Sequence, residues 1–425
     1  MEKEMKKIIL EKNGIRTTFI KTDKFKTVTF QIVFASKFTK ENAAKRSLLS
    51  LVLGNSSGKY NTKKKAIDKM CDLYGATISV NCNRYHETSV IIFNLEFINE
   101  SNLPNSDNLN KKAFEFFADT ILNPNAYDNQ FSEKEFNEEK NILIQSIQKI
   151  YNNKYRYSLR KMIEVMCHDE ITGYSTSGTI EDVNKITSSE LYQEYLSMIN
   201  NDQISMYIVG DLEEKKLLND LKIFANLRSS DISLNTYLKE NYSVKKIKEI
   251  REVQKVSQAK LVMGFRSDIN SADERFYQLI LFNEMFGGLA SSDLFRVVRE
   301  ENNLAYDIAS LALVESKLFI ITAGIETKDY ELTKNLIIEQ LTKYKNGDIS
   351  EELLDIAKKA LISDLEQTND NPYDILSYIQ DNHFLKIDKS VEESIKNIEE
   401  IQINDIKDAA LGIKLDTIFL LANEE

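Results

Sequence analysis

The order of segments in this chain occurs twice, and that duplication limits its fold more than any single motif does. An alternating stretch, VTFQIVF (28 to 34), leads into a helix-period run, KENAAKRSLLSLVLG, that ends at Gly54; MCDLYGATISV and a strand pair through VIIFNLEF follow. The same order returns as QAKLVMGF (258 to 265), ADERFYQLILFNEMFGG, REENNLAYDIASLALV and KLFIITAGI. Further on, FSEKEFNEEKNILIQSIQ (131 to 148) lines up with ISEELLDIAKKALISDLEQ (349 to 367). Each is followed by an aromatic-containing helix, YRYSLRKMIEVM and YDILSYIQDNHF, and each half closes on an apolar strand, QISMYIVGD and DTIFLLA. Repeated element order requires two units of one architecture. The 425 residues suffice for two cores at roughly 150 residues per domain.

Local periodicity sets the element types. Alternation in TVTFQIVF predicts a strand, whereas Leu48, Leu49, Val52 and Leu53 recur at helical spacing. Start signals of the S/T-x-x-E type stand at Ser132 with Glu135, Thr187 with Glu190 and Ser271 with Glu274. Each half therefore reads as α+β, an antiparallel sheet covered on one face by helices. The halves span 1–212 and 251–425, joined by a polar segment, 213–250, that itself carries the helical pattern LEEKKLLNDLKIFAN.

Charge excludes one class of partner. With 55 Lys and Arg against 66 Asp and Glu, the net charge of −11 argues against a nucleic-acid binder. Cys71, Cys82 and Cys167 match no C-x-x-C pair and form no closed disulfide framework, so they read as buried small hydrophobes in a reducing compartment. No segment resembles a signal peptide or a membrane span, which predicts a cytoplasmic protein with no membrane partner.

Two strings resemble one family. LFRVVREENNLAYDIAS (294 to 310), after Gly287-Gly288, is similar to the L-F-x-x-(I/V)-R-E-x-x-x-L-A-Y segment of the insulinase, pitrilysin and mitochondrial-processing-peptidase family of zinc peptidases, peptidase family M16. SGTIEDVNKITSSELYQEYLSMINNDQISMYIVGD (177 to 211) resembles that family's G-x-x-E-x-(I/V)-x-x-(I/L)-T…(V/I)-V-G-D run. The resemblance covers nearly the whole chain. It implies a bacterial member with duplicated α+β halves of the LuxS/M16 metalloprotease-like type.

The family's zinc sits on an inverted motif, H-x-x-E-H, on the first helix of the first half, completed by a downstream glutamate. Two imidazoles one helical turn apart can share a metal, and the glutamate between them serves as base. In the corresponding segment this chain has Arg46 and Ser50 for the two histidines and Leu49 for the base. Alignment of EKNILIQSI (139 to 147) puts Ser146 at the third ligand, while Glu139 matches an earlier acidic residue. The resemblance thus implies no bound metal and no catalytic residue here.

Other catalytic constellations are weak. His86, His168 and His383 lie too far apart for a metal pair, and His86-Glu87 fails H-E-x-x-H because Val90 stands fifth; His86 is expected at a strand edge on the surface. Gly54-Asn55-Ser56-Ser57-Gly58 satisfies G-x-S-x-G, but a helix precedes it instead of a strand, so a polar loop is expected. No phosphate loop occurs.

What the resemblance retains is Arg299 and Tyr306, corresponding to the Arg and Tyr that hold substrate backbone and oxyanion in the family. They could donate hydrogen bonds to a peptide carbonyl. Alternatively both serve packing, Arg299 paired with Glu300 or Glu301 and Tyr306 in the core. Two functions follow. One is a non-catalytic subunit of a two-chain zinc peptidase, forming a heterodimer with a catalytic homologue and binding an extended peptide at a sheet edge. The other is a homodimeric binding or scaffold protein without proteolysis; an active metalloendopeptidase ranks below both.

Overall fold

A computed structural model describes residues 5–104, 108–387 and 389–423. The first strands are β1 (Lys6–Lys12), β2 (Ile15–Lys21), β3 (Thr27–Lys37), β4 (Thr77–Tyr85), β5 (Thr88–Ile98), the two-residue pair β6 (Ala126–Tyr127) and β7 (Gln130–Phe131), and β8 (Gln203–Gly210). Their helices are α1 (Lys40–Leu53), α2 (Lys63–Asp72), α3 (Leu109–Leu122), α4 (Glu133–Asn152), α5 (Lys154–Met166), α6 (Ile180–Lys185), α7 (Ser188–Asn201) and α8 (Glu214–Asp220). Then come β9 (Lys248–Val253), β10 (Ala259–Arg266), α9 (Phe276–Asn283), β11 (Ala305–Leu313), β12 (Leu318–Ile325), α10 (Tyr330–Asn346), α11 (Glu351–Gln367), α12 (Pro372–Leu385), α13 (Val391–Glu400), α14 (Ile403–Leu411) and β13 (Lys414–Ala422).

The strand orders make the duplication explicit. One sheet runs β1-β2-β8-β3-β5-β4 and the other β11-β12-β10-β13-β9. Reading the second backwards, β9, β13, β10, β12 and β11 take the places of β2, β8, β3, β5 and β4, and β1 is the extra strand. Both sheets are antiparallel except at one matching pair, β2 with β8 and β13 with β9, which run parallel. In each half that pair joins the first strand of the repeat to its last, and the helices between supply the crossover a parallel pair needs.

Two compact units result, and neither is one continuous stretch. One holds the residues up to Ile147, with Ser175–Asn235 and Asp370–Gln380; the other holds Gln148–Tyr174, Thr236–Asn369 and Asp381 onward. The first unit's core packs Phe30 among Phe114, Phe117 and Phe224, with ring centroids 5.2 to 5.8 Å from Phe30. Leu217, Phe224 and Leu227 belong to that core, so much of the expected connecting segment 213–250 is an integral part of the first unit.

In the second unit, Leu261, Met263 and Phe265 of β10 face the core shared with α9, α10 and α14. The opposite face carries Val262, Leu318, Ile320, Phe419 and Leu421, covered by Met162 and Met166 of α5 and by Cys167. Gly264 leaves room there, since a Cβ would collide with both methionine sulfurs. Arg266 fastens the end of α5: it donates to the Met166 carbonyl at 3.2 Å and to Glu170 at 2.6 Å, and it pairs with Asp416 at 3.0 Å. The first unit receives the start of α12 in the same way. Tyr373 hydrogen-bonds Thr77 and Glu96, and Gln380 donates to the Tyr85 hydroxyl at 3.0 Å. Helices thus cover the sheets as expected, and each sheet gains cover on its outer face from a helix of the other half of the sequence.

Met162 is fully buried. Met162→Ala should therefore destabilise the protein by about 2–5 kcal/mol in urea denaturation; a change under about 0.5 kcal/mol would mean that α5 is not packed on this sheet.

Candidate functional site

Helix α1 begins at a capping box, in which the Thr39 hydroxyl accepts from the Asn42 backbone and the Asn42 side chain accepts from the Thr39 N–H. It carries the positions aligned with the metal motif. Arg46 is 1% exposed, and its guanidinium is tied on several sides. Nε donates to the Ser89 hydroxyl of β5 at 3.0 Å, and a terminal nitrogen donates to the Phe34 carbonyl of β3 at 3.1 Å and to Asp202 at 2.8 Å. Glu194 of α7 lies 3.7 Å away. Leu49 is 0% exposed within the apolar core. Ser50 is buried and donates to the Ser47 carbonyl at 2.9 Å.

Ser146 stands exposed on α4 and donates back to the Leu143 carbonyl at 2.7 Å. Glu139, one side chain that could bind a metal, is buried and pairs with Lys63 at 2.6 Å. No hydrogen bond joins these α1 and α4 positions; each is bonded within its own helix or to another element. A zinc ion does not fit this set. It would face a guanidinium, a core leucine and two serines bonded to backbone, in place of imidazoles and a carboxylate. Among the described residues, no three His, Cys, Asp or Glu side chains gather into a group that could hold a metal.

The Arg46 network has an electrostatic signature. Burial pushes Asp202 up to about 6 and raises Glu194, with the guanidinium opposing both shifts. One positive charge faces a buried and a half-buried carboxylate, so the pair is poised to take up a proton. Burial likewise raises the thiol of Cys82, whose sulfur lies 3.8 Å from the Ser89 hydroxyl.

Arg299 and Tyr306 are at the turn from a π-helical segment, Phe295–Glu301, into β11. Arg299 is exposed, its guanidinium 4.6 Å from the Phe295 ring centroid. Glu301 pairs with Arg296, and no ion pair joins Arg299 to Glu300 or Glu301, the two partners of the packing alternative. Tyr306 is 63% exposed and not a core residue. It occupies a bulge on an edge strand: Ala305 opposes Ile325 and Asp307 opposes Gly324, which leaves Tyr306 outside the ladder. Its hydroxyl donates to Glu326 at 3.2 Å. No hydrogen bond links Arg299 to Tyr306.

The remaining motifs resolve as structure. Ser56 and Ser57 lie buried in the loop between α1 and α2; Ser56 donates to Glu135 at 2.6 Å and Ser57 to Asp119. His86 is buried in the β4–β5 turn, contrary to the surface position expected. His168 is exposed beside Asp169, and His383 stacks on Phe384. Sequence reasoning missed the Arg46–Asp202–Glu194 network; an arginine amid Leu48, Leu49 and Val52 was the available signal.

Known proteins are similar to this chain in sequence and fold. A family profile described as "Peptidase M16 inactive domain" matches residues 185–361. The probable inactive metalloprotease YmfF of Bacillus subtilis (strain 168) is 30% identical over 414 residues, 97% of this chain and 96% of its own length. The chain belongs to the M16 peptidase family. It is an M16 homologue without the zinc ligands of the inverted motif. The uncharacterized zinc protease YmxG of the same organism is 25% identical over 60% of this chain and 62% of its own. Among solved structures, a conserved protein from Enterococcus faecalis V583 superposes with a TM-score of 0.93 at 25% identity, covering 98% of this chain and 99% of that one. A peptidase M16 inactive domain from Pseudomonas fluorescens gives 0.81 at 15% identity over 100% and 99%, a likeness of fold. No helix among the described residues is long and apolar enough to cross a membrane.

Arg46→Met should cost about 3–5 kcal/mol by chemical denaturation, because it strands the buried carboxylate of Asp202; a loss below about 1 kcal/mol would contradict the structural role. The pH dependence has a definite sign. The folded-state value of Asp202 lies above its ordinary 3.8, so the stability it contributes is full below that value and lost as pH rises through about 6. Wild type should therefore gain stability relative to Asp202→Asn between pH 7 and pH 5 in urea titrations, and a constant difference would refute the shift.

Proposed function

We propose that this M16 homologue is a cytoplasmic, non-catalytic, peptide-binding subunit that works beside a catalytic homologue with an intact H-x-x-E-H motif. One observation carries the reading: the aligned metal positions are occupied by structural contacts, while Arg299 and Tyr306 remain exposed on an edge. A buried guanidinium and a core leucine serve stability. An exposed arginine and a bulged tyrosine at an open edge strand bury little, so their value lies in what they can donate to. An extended peptide adding to the free edge of β11 would present carbonyl oxygens to these donors, with backbone hydrogen bonds supplying affinity. Zinc and the attacking water would come from the partner chain.

The test mixes the purified chain with an H-x-x-E-H homologue from the same source and follows casein and short-peptide cleavage. The chain alone should not cleave, and the mixture should cleave faster than the homologue alone. Arg299→Ala and Tyr306→Phe should each lower the mixed rate by about ten-fold or more while changing stability by less than about 0.5 kcal/mol. A stable homodimer that never supports cleavage with the homologue would overturn the subunit reading in favour of a scaffold.

A further inference from the structure

A cavity of about 260 Å³ lies in the first unit under the β1–β2 hairpin, roofed by α8 and the following turn, Leu221–Phe224. It exists because the cover is short. Helix α8 has 7 residues and the turn 4, and the extra strand β1 widens the sheet beside them. The hairpin turns at Asn13 and Gly14, with φ of 55° and 73°. The Asn13 amide donates to the carbonyls of Ala225 at 2.9 Å and Leu227 at 3.3 Å, pinning the cavity's end.

The walls are mostly apolar, with Leu10, Met206, Leu221 and Phe224 prominent. The space is partly open to solvent, and its apolar walls offer few hydrogen-bond partners to water there. Two cations also line it, Lys12 and Lys222, both exposed. Neither forms an ion pair with a described residue; Lys222 donates to the Asn219 side chain at 3.0 Å. Two ammonium groups at the rim of one apolar groove complement a ligand with an anionic head and an aliphatic tail.

We propose that this cavity binds a medium-chain fatty acid, its aliphatic tail among Leu10, Met206, Leu221 and Phe224 and its carboxylate at Lys12 and Lys222. Tail burial provides the driving force and the ammonium groups choose an anion over a neutral or cationic head. The site is separate from the Arg299–Tyr306 turn and independent of the peptide-binding reading.

Calorimetric titration of the full chain with octanoate, 1-octanol and octylamine tests it. Octanoate should bind saturably at one site per chain, 1-octanol about ten-fold more weakly, and octylamine more weakly still. The double variant Lys12→Glu/Lys222→Glu should weaken octanoate by about ten-fold or more, and Leu218→Trp, at an exposed position of the lining, should block it. Both variants alter exposed side chains, so folding is not at stake. The proposal is overturned by an absence of saturable octanoate binding, by equal affinity for 1-octanol, or by affinity unchanged in both variants.

Discussion

The buried guanidinium of Arg46 is the interaction on which the first unit's organisation depends. It joins α1 to β3 through the Phe34 carbonyl, to β5 through Ser89, and to the end of α7 through Asp202. A charge so completely removed from water is tolerable because every neighbour accepts a hydrogen bond from it or carries opposite charge. The dependence is mutual, since Asp202 and Glu194 need that charge as much as it needs them. A neutral imidazole at position 46 would leave both carboxylates uncompensated. The helix that would otherwise present a metal is thereby committed to holding the sheet.

The second unit has its own buried arginine between two carboxylates. Arg266 joins Glu170 and Asp416 while binding the end of α5, and so secures the cover of the second sheet's outer face. An apolar outer face on the second sheet explains why the first half of the sequence lends it α5. Val262, Ile320 and Phe419 would otherwise face water at a cost of about 1.5–3 kcal/mol per side chain. Duplication thus yields units that are alike in strand order yet interleaved in sequence.

Much of this was legible beforehand, for physical reasons. The repeat, the strand pairs and the loss of the zinc ligands follow from periodicity and from aligned residues. KLFIITAGI reads as a strand of a sheet with helices on one face. It cannot say that α5 is the second cover, because that contact joins residues about a hundred positions apart. Arg46 and Asp202 are separated by 156 positions, so no local pattern pairs them. Ser271 reads as a helix start but donates instead to the Leu385 carbonyl, and α9 begins at Phe276, where tertiary contacts override the capping signal. Tyr306 could be read as core or as exposed until the bulge in β11 was seen.

The side chains aligned with the metal motif serve the fold and hold no metal. Metal analysis of the purified chain, loaded with zinc and then dialysed, tests this most directly. The chain should retain less than about 0.1 zinc per molecule. One zinc per chain, removable by a chelator, would contradict this and would require ligands outside the Arg46, Leu49, Ser50 and Ser146 set.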